Sequence, residues 1–234
     1  MNNFPLTIVI VFTLTTIASL WLFARALPKS GNRKYIMAGI FAWLALQSIL
    51  SSNGFYDDNM SMPPRFAFAI APALLVILVL FVTKNGRSFI DNLSLSSLTW
   101  LQTVRVPVEI TLYFLMLEKT IPGLMTFEGR NFDILAGITA PVMAYFAYVK
   151  RTLNKKILLA WNIICLLLVL NIVVIAVLAV ETPFQQLAFD QPNRAVMKFP
   201  IIWLPVFIVP VVIFGHLVSI RRLLYAPALK QVLS

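Results

Sequence analysis

Long apolar stretches separated by short polar segments dominate the chain. A helix that crosses the apolar core of a bilayer needs about 20 residues, and seven stretches approach or exceed that length. None shows the two-residue alternation of a barrel strand, so helices must satisfy the backbone hydrogen bonds within lipid. The sequence predicts an all-α polytopic membrane protein with one transmembrane domain over residues 1–234, its spans lying at 5–27, 35–52, 66–83, 98–117, 134–149, 157–180 and 200–220.

Composition agrees with the pattern of apolar stretches. The chain is 60% hydrophobic and only 12% charged, and its mean hydropathy is +0.87. Soluble domains carry about 25% charged residues. A soluble globular protein is therefore excluded, and the predicted partner of the apolar stretches is the lipid bilayer.

The positive charges predict how the chain is oriented. One alternate set of loops holds thirteen Lys and Arg residues and the other set holds five. Because basic residues are retained on the cytoplasmic side, we expect an outer N-terminus and an inner C-terminus. Seven of the nine acidic residues fall in the outer loops. The net charge of +10 thus follows from topology, and we expect no nucleic-acid partner.

The fourth span carries two charges inside the predicted membrane. Arg105 and Glu109 are four residues apart and therefore share one helix face, which Gln102 and Tyr113 extend. Each charge opposes insertion by about 2.5 to 3.5 kcal/mol unless it is paired or hydrated. One interpretation is a structural ion pair between them. The other is a functional site, either for an anionic ligand or with Glu109 as a protonatable group.

Polar residues on other spans fall into two layers when depth is counted at about 1.5 Å per residue from each inner end. Arg105, Asn162, Cys165 and His216 fall in an inner layer. Gln47, Glu109 and Asn171 fall near the midplane, although each Asn is equally explained as a hydrogen-bonding link between helices. The candidate ligand- or ion-binding residues are Arg105, Glu109, Gln102, Tyr113, Asn171, Gln47 and His216.

Proline spacing predicts a distorted last helix. Pro200, Pro205, Pro210 and Gly215 recur every five residues, which favours a hinge or a broken helix beside a site. Spans one to three and five to seven also share a short basic inner turn followed by an outer loop and a proline-containing helix. This similarity suggests a parallel repeat of three spans on each side of span four.

The chemistry that the sequence lacks narrows the choice of function. Common hydrolase, zinc-protease and nucleotide motifs are absent, and a single Cys165 and a single His216 predict no metal, no cofactor and no catalytic residues. The leading hypothesis is a small-solute or proton-linked transporter or a ligand-binding helix bundle. The alternatives are a membrane-embedded enzyme using His216, Cys165 or Glu109, and a receptor or scaffold subunit of unspecified oligomeric state. A transporter predicts a polar cavity at the midplane, an enzyme predicts Cys165 hydrogen-bonded to His216, and a scaffold predicts a filled bundle.

The C-terminal half resembles a known group of sequences. The similarity covers roughly residues 127–224 and is carried by the segments 127–137, 182–186, 199–200, 203–205 and 215–217. In these segments the chain is similar to a family of uncharacterised bacterial seven-span integral membrane proteins. The resemblance implies a multi-pass protein of the bacterial inner membrane and no particular activity. It also makes five outer-loop residues candidates for folding over the mouth of the bundle, with solvated loop residues as the alternative: Glu128, Arg130, Asp133, Gln185 and Gln186.

Overall fold

The computed structural model describes residues 4–29 and 31–225, and this part of the chain is helical with no strands. The predicted all-α fold is therefore confirmed. The α-helices are α1 (Leu6–Ala26), α2 (Arg33–Ser52), α3 (Ala67–Val82), α4 (Lys84–Asp91), α5 (Leu95–Leu101), α6 (Arg105–Leu117), α7 (Ile134–Ala144), α8 (Lys155–Leu178) and α9 (Val209–Tyr225).

Four of the described helical segments are long and apolar enough to cross a membrane. These are α1, α2, α8 and the segment Leu204–Tyr225, which joins a π-helical turn at Leu204–Ile208 to α9. The other three predicted spans are also helical, but one is bent, one is interrupted and one is short. The seven-span topology and its orientation stay predictions.

The third predicted span ends in a sharp bend. Helices α3 and α4 meet at Thr83 with an angle of 92° between them. The Thr83 hydroxyl caps α4 by accepting a hydrogen bond from the Gly86 amide. Helix α4 buries Ile90 and exposes Lys84, as expected of a short amphipathic helix at an interface.

The fourth predicted span forms in three consecutive pieces. Helix α5 leads through a 3-10 turn at Gln102–Val104 into α6. Pro107 explains the interruption, because it has no amide hydrogen to donate to the carbonyl four residues earlier and its ring crowds that carbonyl. The α-helical and 3-10 segments together still run without a gap from Leu95 to Leu117.

The last helix forms the centre of the bundle, while α2 lies at its edge. In the most apolar window of Leu204–Tyr225, 78% of the residues are buried, against 17% for α2. The helix starts a few residues after the predicted Pro200, because residues 200–202 form turns and helical structure begins at Trp203. Pro205 lies in the π-helical turn and Pro210 in the first turn of α9, so the predicted distortion is confirmed at the N-terminal end of this helix.

Candidate functional site

Arg105 lies at the centre of a buried polar network. Its Nε donates a hydrogen bond of 2.8 Å to Asp133 Oδ2, and its Nη2 lies 2.6 Å from Asp133 Oδ1. Arg105 and Asp133 are only 2% and 5% exposed. The first contact is a charge-assisted hydrogen bond, and the second is an ion-pair contact, since Asp133 Oδ1 accepts no hydrogen bond among the described residues.

Asp133 reaches this depth because α7 is short and packs closely on α6. The helical stretch 134–149, about 24 Å long at 1.5 Å per residue, is shorter than the roughly 30 Å apolar core of a bilayer. Gly137 allows the close approach, since a Cβ atom there would lie 2.8 Å from Val106 Cγ2 and 3.1 Å from Arg105 Cβ. Asp133 precedes Gly137 by one turn and therefore faces Arg105. The alternative that Asp133 is a solvated outer-loop charge is wrong, because it is buried against Arg105.

His216 continues the network on the other side of Arg105. Its Nε2 is 3.1 Å from Arg105 Nη1, and its Nδ1 is 2.9 Å from Asn162 Oδ1. The guanidinium can only donate, so Nε2 must be the accepting nitrogen and Nδ1 must carry the hydrogen donated to Asn162. These contacts assign His216 as a neutral imidazole with a fixed tautomer. It is fully buried, at 0% exposed.

The inner polar layer predicted from depth forms as one connected group. Arg105 Nη2 donates to the Cys165 carbonyl at 3.0 Å, and Asn162 Nδ2 donates to the Leu158 carbonyl at 2.8 Å. The Cys165 contribution comes from its backbone oxygen, while both ring nitrogens of His216 are taken by Arg105 and Asn162. The hydrogen bond between the Cys165 thiol and His216 that the enzyme hypothesis required is therefore not formed.

Glu109 is held by an amide and not by Arg105. Asn131 Nδ2 lies 2.7 Å from both carboxyl oxygens of Glu109 and 3.0 Å from the Met125 carbonyl. The Asn131 side-chain oxygen in turn accepts the Asp133 amide at 3.0 Å. The predicted ion pair between Arg105 and Glu109 is thus wrong, because Asp133 occupies the guanidinium. Sequence reasoning missed Asn131, although it lies within the segment 127–137 that carried the family resemblance.

Glu109 and Asp133 line a small pocket of about 90 Å³ that is partly open to the surface of the bundle, where the exposed Leu74 and Val177 also line it. Most of its lining is apolar, and the distorted start of the last helix contributes Pro205 and Pro210. Asn193 also lines this pocket, is 0% exposed, and within the described residues its side-chain oxygen accepts no hydrogen bond. Water occupies about 30 Å³ per molecule in the liquid and needs two to four polar partners. The pocket is therefore large enough for a few waters, but its wall is almost entirely apolar, and the unpaired Asn193 oxygen is itself inaccessible.

A much larger cleft of about 860 Å³ opens beyond the C-terminal end of α2. Two ion pairs line it, with Lys198 Nζ 2.5 Å from Asp57 and Arg194 Nη2 2.6 Å from Glu181. Hydrogen bonds from Arg194 hold the pKa of Glu181 below its usual value. The prediction that Gln185 lies at the mouth of the bundle is consistent with its place in the cleft lining, where its amide donates to the Leu187 carbonyl.

The floor of this cleft also borders the pocket at Glu109. Met197 lines the cleft, and the neighbouring Val196 lines the pocket. Asn59 fastens this floor by donating to Met197 Sδ and by accepting the Phe66 amide at 2.8 Å. Beside it, the buried Tyr56 hydroxyl donates to Gln47, and burial raises the pKa of Tyr56 to about 12. One short turn, Ala195–Met197, therefore separates the cleft from the pocket at Glu109.

Three of the other candidates lie outside the network. Gln102 packs against Gly215 and donates to the Val212 carbonyl at 3.4 Å, while its side-chain oxygen is unpaired within the described chain. Tyr113 stacks on Phe127, with ring centroids 5.0 Å apart. Gln47 belongs to the cleft floor and not to a midplane layer with Glu109.

The remaining candidates lie at the surface. Asn171 is exposed and donates to the Arg130 carbonyl at 2.9 Å, so the expected midplane layer does not form. Glu128, Arg130 and Gln186 are exposed as well, in agreement with the alternative of solvated loop residues.

Comparison with known proteins places the chain in a family. Residues 63–224 match the family model of a domain of unknown function, DUF8737, and the chain therefore belongs to that family. The match contains the whole segment that carried the resemblance. No curated protein and no solved structure matched the chain.

Proposed function

We propose that this DUF8737 member is a seven-span protein of the bacterial inner membrane that couples proton binding at Glu109 to the binding and movement of a small polar solute. The observation that carries this proposal is the position of Glu109. Its carboxyl is 2% exposed, lines a pocket and has no cationic partner among the described residues. Ionisable groups inside a membrane protein are functional candidates by default.

The charges of the network support a proton as the occupant. Arg105 and Asp133 neutralise each other, and the contacts of His216 assign it as neutral. Glu109 is therefore the one carboxyl of the network left without a compensating charge. A buried ionised carboxylate without a cation is costly, and a proton removes that charge without requiring further space.

Two neighbouring spaces support a route from the outer surface to Glu109. The cleft and the pocket at Glu109 share the turn Ala195–Met197 as a common wall, and the proposal requires this turn to move so that the two spaces join. The segment that follows contains Pro205 within a π-helical turn, a common place for a helix to bend. The solute class that fits the charged and amide groups of the cleft is a small polar or zwitterionic molecule.

The seven-span topology is part of this proposal. Four helical segments have the length and composition to cross a membrane. The segment from Leu95 to Leu117 is a fifth long helical segment, although it is interrupted by a 3-10 turn. Helix α3 ends at the bend into α4, and α7 begins next to the buried Asp133. The third and fifth proposed spans therefore cross with fewer helical residues than the others. The basic loops assign the C-terminus to the cytoplasmic side.

Solute-induced proton movement in proteoliposomes tests the proposal. The purified protein is reconstituted with a trapped pH-sensitive dye, and separate pools of amino acids, sugars, organic acids and organic cations are added outside. We expect at least one pool to change the internal pH in wild-type vesicles. The same pool should give no change with Glu109→Gln, which keeps the shape of the side chain but cannot carry the proton.

Glu128→Gln is the matched control, because Glu128 is an exposed glutamate of the outer loop. It should retain the wild-type response. A response that survives in Glu109→Gln vesicles contradicts the role assigned to Glu109. Solute uptake without any proton movement contradicts the coupling of transport to proton binding, but it agrees with transport of the solute.

A further inference from the structure

Helix α2 makes its described side-chain hydrogen bonds to the rest of the bundle along its C-terminal half. The Trp43 indole donates to the Val206 carbonyl at 3.1 Å, and Ser51 donates to the Met197 carbonyl at 2.7 Å. The buried residues of α2 are Leu44, Gln47 and Ser51, all in this half. Among the described residues, the N-terminal half of α2 contacts the bundle through partly buried apolar side chains alone, those of Ile36, Met37 and Ile40.

The space behind the N-terminal half of α2 is an apolar groove of about 530 Å³. Its walls come from α1, α2, α3, α4 and the last helix, through residues such as Phe23, Ile77, Phe89 and Phe214. Ligand pockets commonly have volumes of about 300 to 1,000 Å³. An occupant of this groove meets almost only hydrocarbon and aromatic surface, so it must itself be apolar along its length.

Two cations lie at the inner end of the groove. On α2, Ile36 and Ile40 line the groove, and Arg33 continues the same helix face one turn earlier. On α3, Val76 and Leu80 line it, and Lys84 is the first residue of α4, directly beyond the bend at the end of α3. Neither Arg33 nor Lys84 has a carboxylate within 4 Å in the described part of the chain.

From this arrangement we infer that the groove binds one acyl chain of an anionic phospholipid, whose phosphate contacts Arg33 and Lys84. The inference rests on the proposed topology, which places this end of the groove at the cytoplasmic leaflet. Basic residues that flank membrane helices on that side attract anionic headgroups. A partner helix fits less well, because its own cytoplasmic flank is expected to be basic and to repel these two cations.

Retention of lipid by the purified protein tests the inference. Native mass spectrometry of the detergent-solubilised full chain is carried out with phosphatidylglycerol and with phosphatidylcholine that carries the same acyl chains. We expect one phosphatidylglycerol to be retained in preference to phosphatidylcholine. Removing one headgroup contact with Arg33→Gln should weaken retention about fivefold.

A second variant fills the groove without touching the charges. Gly39 lines it, and an added Cβ atom there meets nothing within 4 Å, so Gly39→Leu places a side chain in the groove without a clash. This variant should lose retention of both lipids. Ala38→Leu and Lys34→Gln are matched controls, because both positions are exposed and lie on the far side of α2.

Equal retention of the two lipids, or equal behaviour of the variants and their controls, contradicts the lipid site. Dimers that form without bound lipid and are broken by Gly39→Leu assign the groove to a second copy of the chain instead. Glu109→Gln should retain lipid like the wild type, so failure of the lipid inference is distinguishable from failure of proton coupling at Glu109.

Discussion

Arg105 and Asp133 face each other through nitrogen–oxygen contacts of 2.8 and 2.6 Å in the interior of the bundle. Asp133 comes from the start of α7, 28 residues after Arg105. This pairing neutralises the guanidinium and leaves the nearby Glu109 to an amide donor. The proton binding proposed for Glu109 depends on Arg105 being paired with Asp133 and not with Glu109.

A double-mutant cycle tests the pair itself. Arg105→Met or Asp133→Leu alone leaves one buried charge unpaired and should reduce the free energy of unfolding by about 3 to 5 kcal/mol. The double variant should recover part of the loss, but not all, because His216 and the Cys165 carbonyl lose their donor. Unfolding in detergent measures all four proteins. Single variants as stable as the wild type contradict a buried pair.

Glu109→Gln distinguishes the observed pairing from one between Arg105 and Glu109. Glutamine keeps the size of the side chain, and no described cation loses a partner. We therefore expect a free energy of unfolding within about 1 kcal/mol of the wild type. Asp133→Asn, measured in parallel, should be clearly less stable. Equal losses from the two substitutions disagree with the pairing described here.

Gly137→Ala tests the close approach that brings Asp133 to Arg105. The new Cβ atom would lie 2.8 Å from Val106 Cγ2 and 2.9 Å from the Val106 nitrogen, so the helices must separate. Overpacking of this kind should cost about 1 to 3 kcal/mol in thermal unfolding measurements. Gly39→Ala is the control, because it adds a methyl group in open space on a helix and should be neutral or stabilising.

Reporter fusions test the topology on which the functional proposal rests. Fusions at Lys84 and after Ser234 should both give a cytoplasmic signal, because both positions belong to the basic set of loops. Alkaline phosphatase and a fluorescent protein serve as complementary reporters. A periplasmic signal at either position means that the number of spans is miscounted.

The sequence predicts the helices well because their signal is local. Apolar length, proline spacing and flanking charge can each be read within one stretch of chain. These signals predict the distortion at Pro205, and they also predict an inner polar layer that contains Arg105, Asn162 and His216. The proposed three-span repeat stays a prediction, since no contact in the fold tests it.

The partner of Arg105 was not predictable from helix spacing. An i, i+4 interval identifies a neighbour on the same face, but it does not show which tertiary group competes for that neighbour. Asn131 and Asp133 lie in the loop before α7, and both are buried in the bundle. The shortness of the stretch 134–149 is a signal in the sequence, but the close packing of Gly137 on Val106, which places Asp133 beside Arg105, is a tertiary feature.

Labelling of a cysteine at position 196 tests proton-linked opening at Glu109 most directly. In a Cys165→Ala background, Val196→Cys places a thiol on the pocket at Glu109, and Ser52→Cys provides an exposed reference in the cleft. Ionised Glu109 is stabilised by water, so labelling relative to the reference should accelerate from acid to alkaline buffer. Glu109→Gln should hold that ratio low throughout. A ratio that is independent of pH, or equally pH-dependent with Glu109→Gln, contradicts the account.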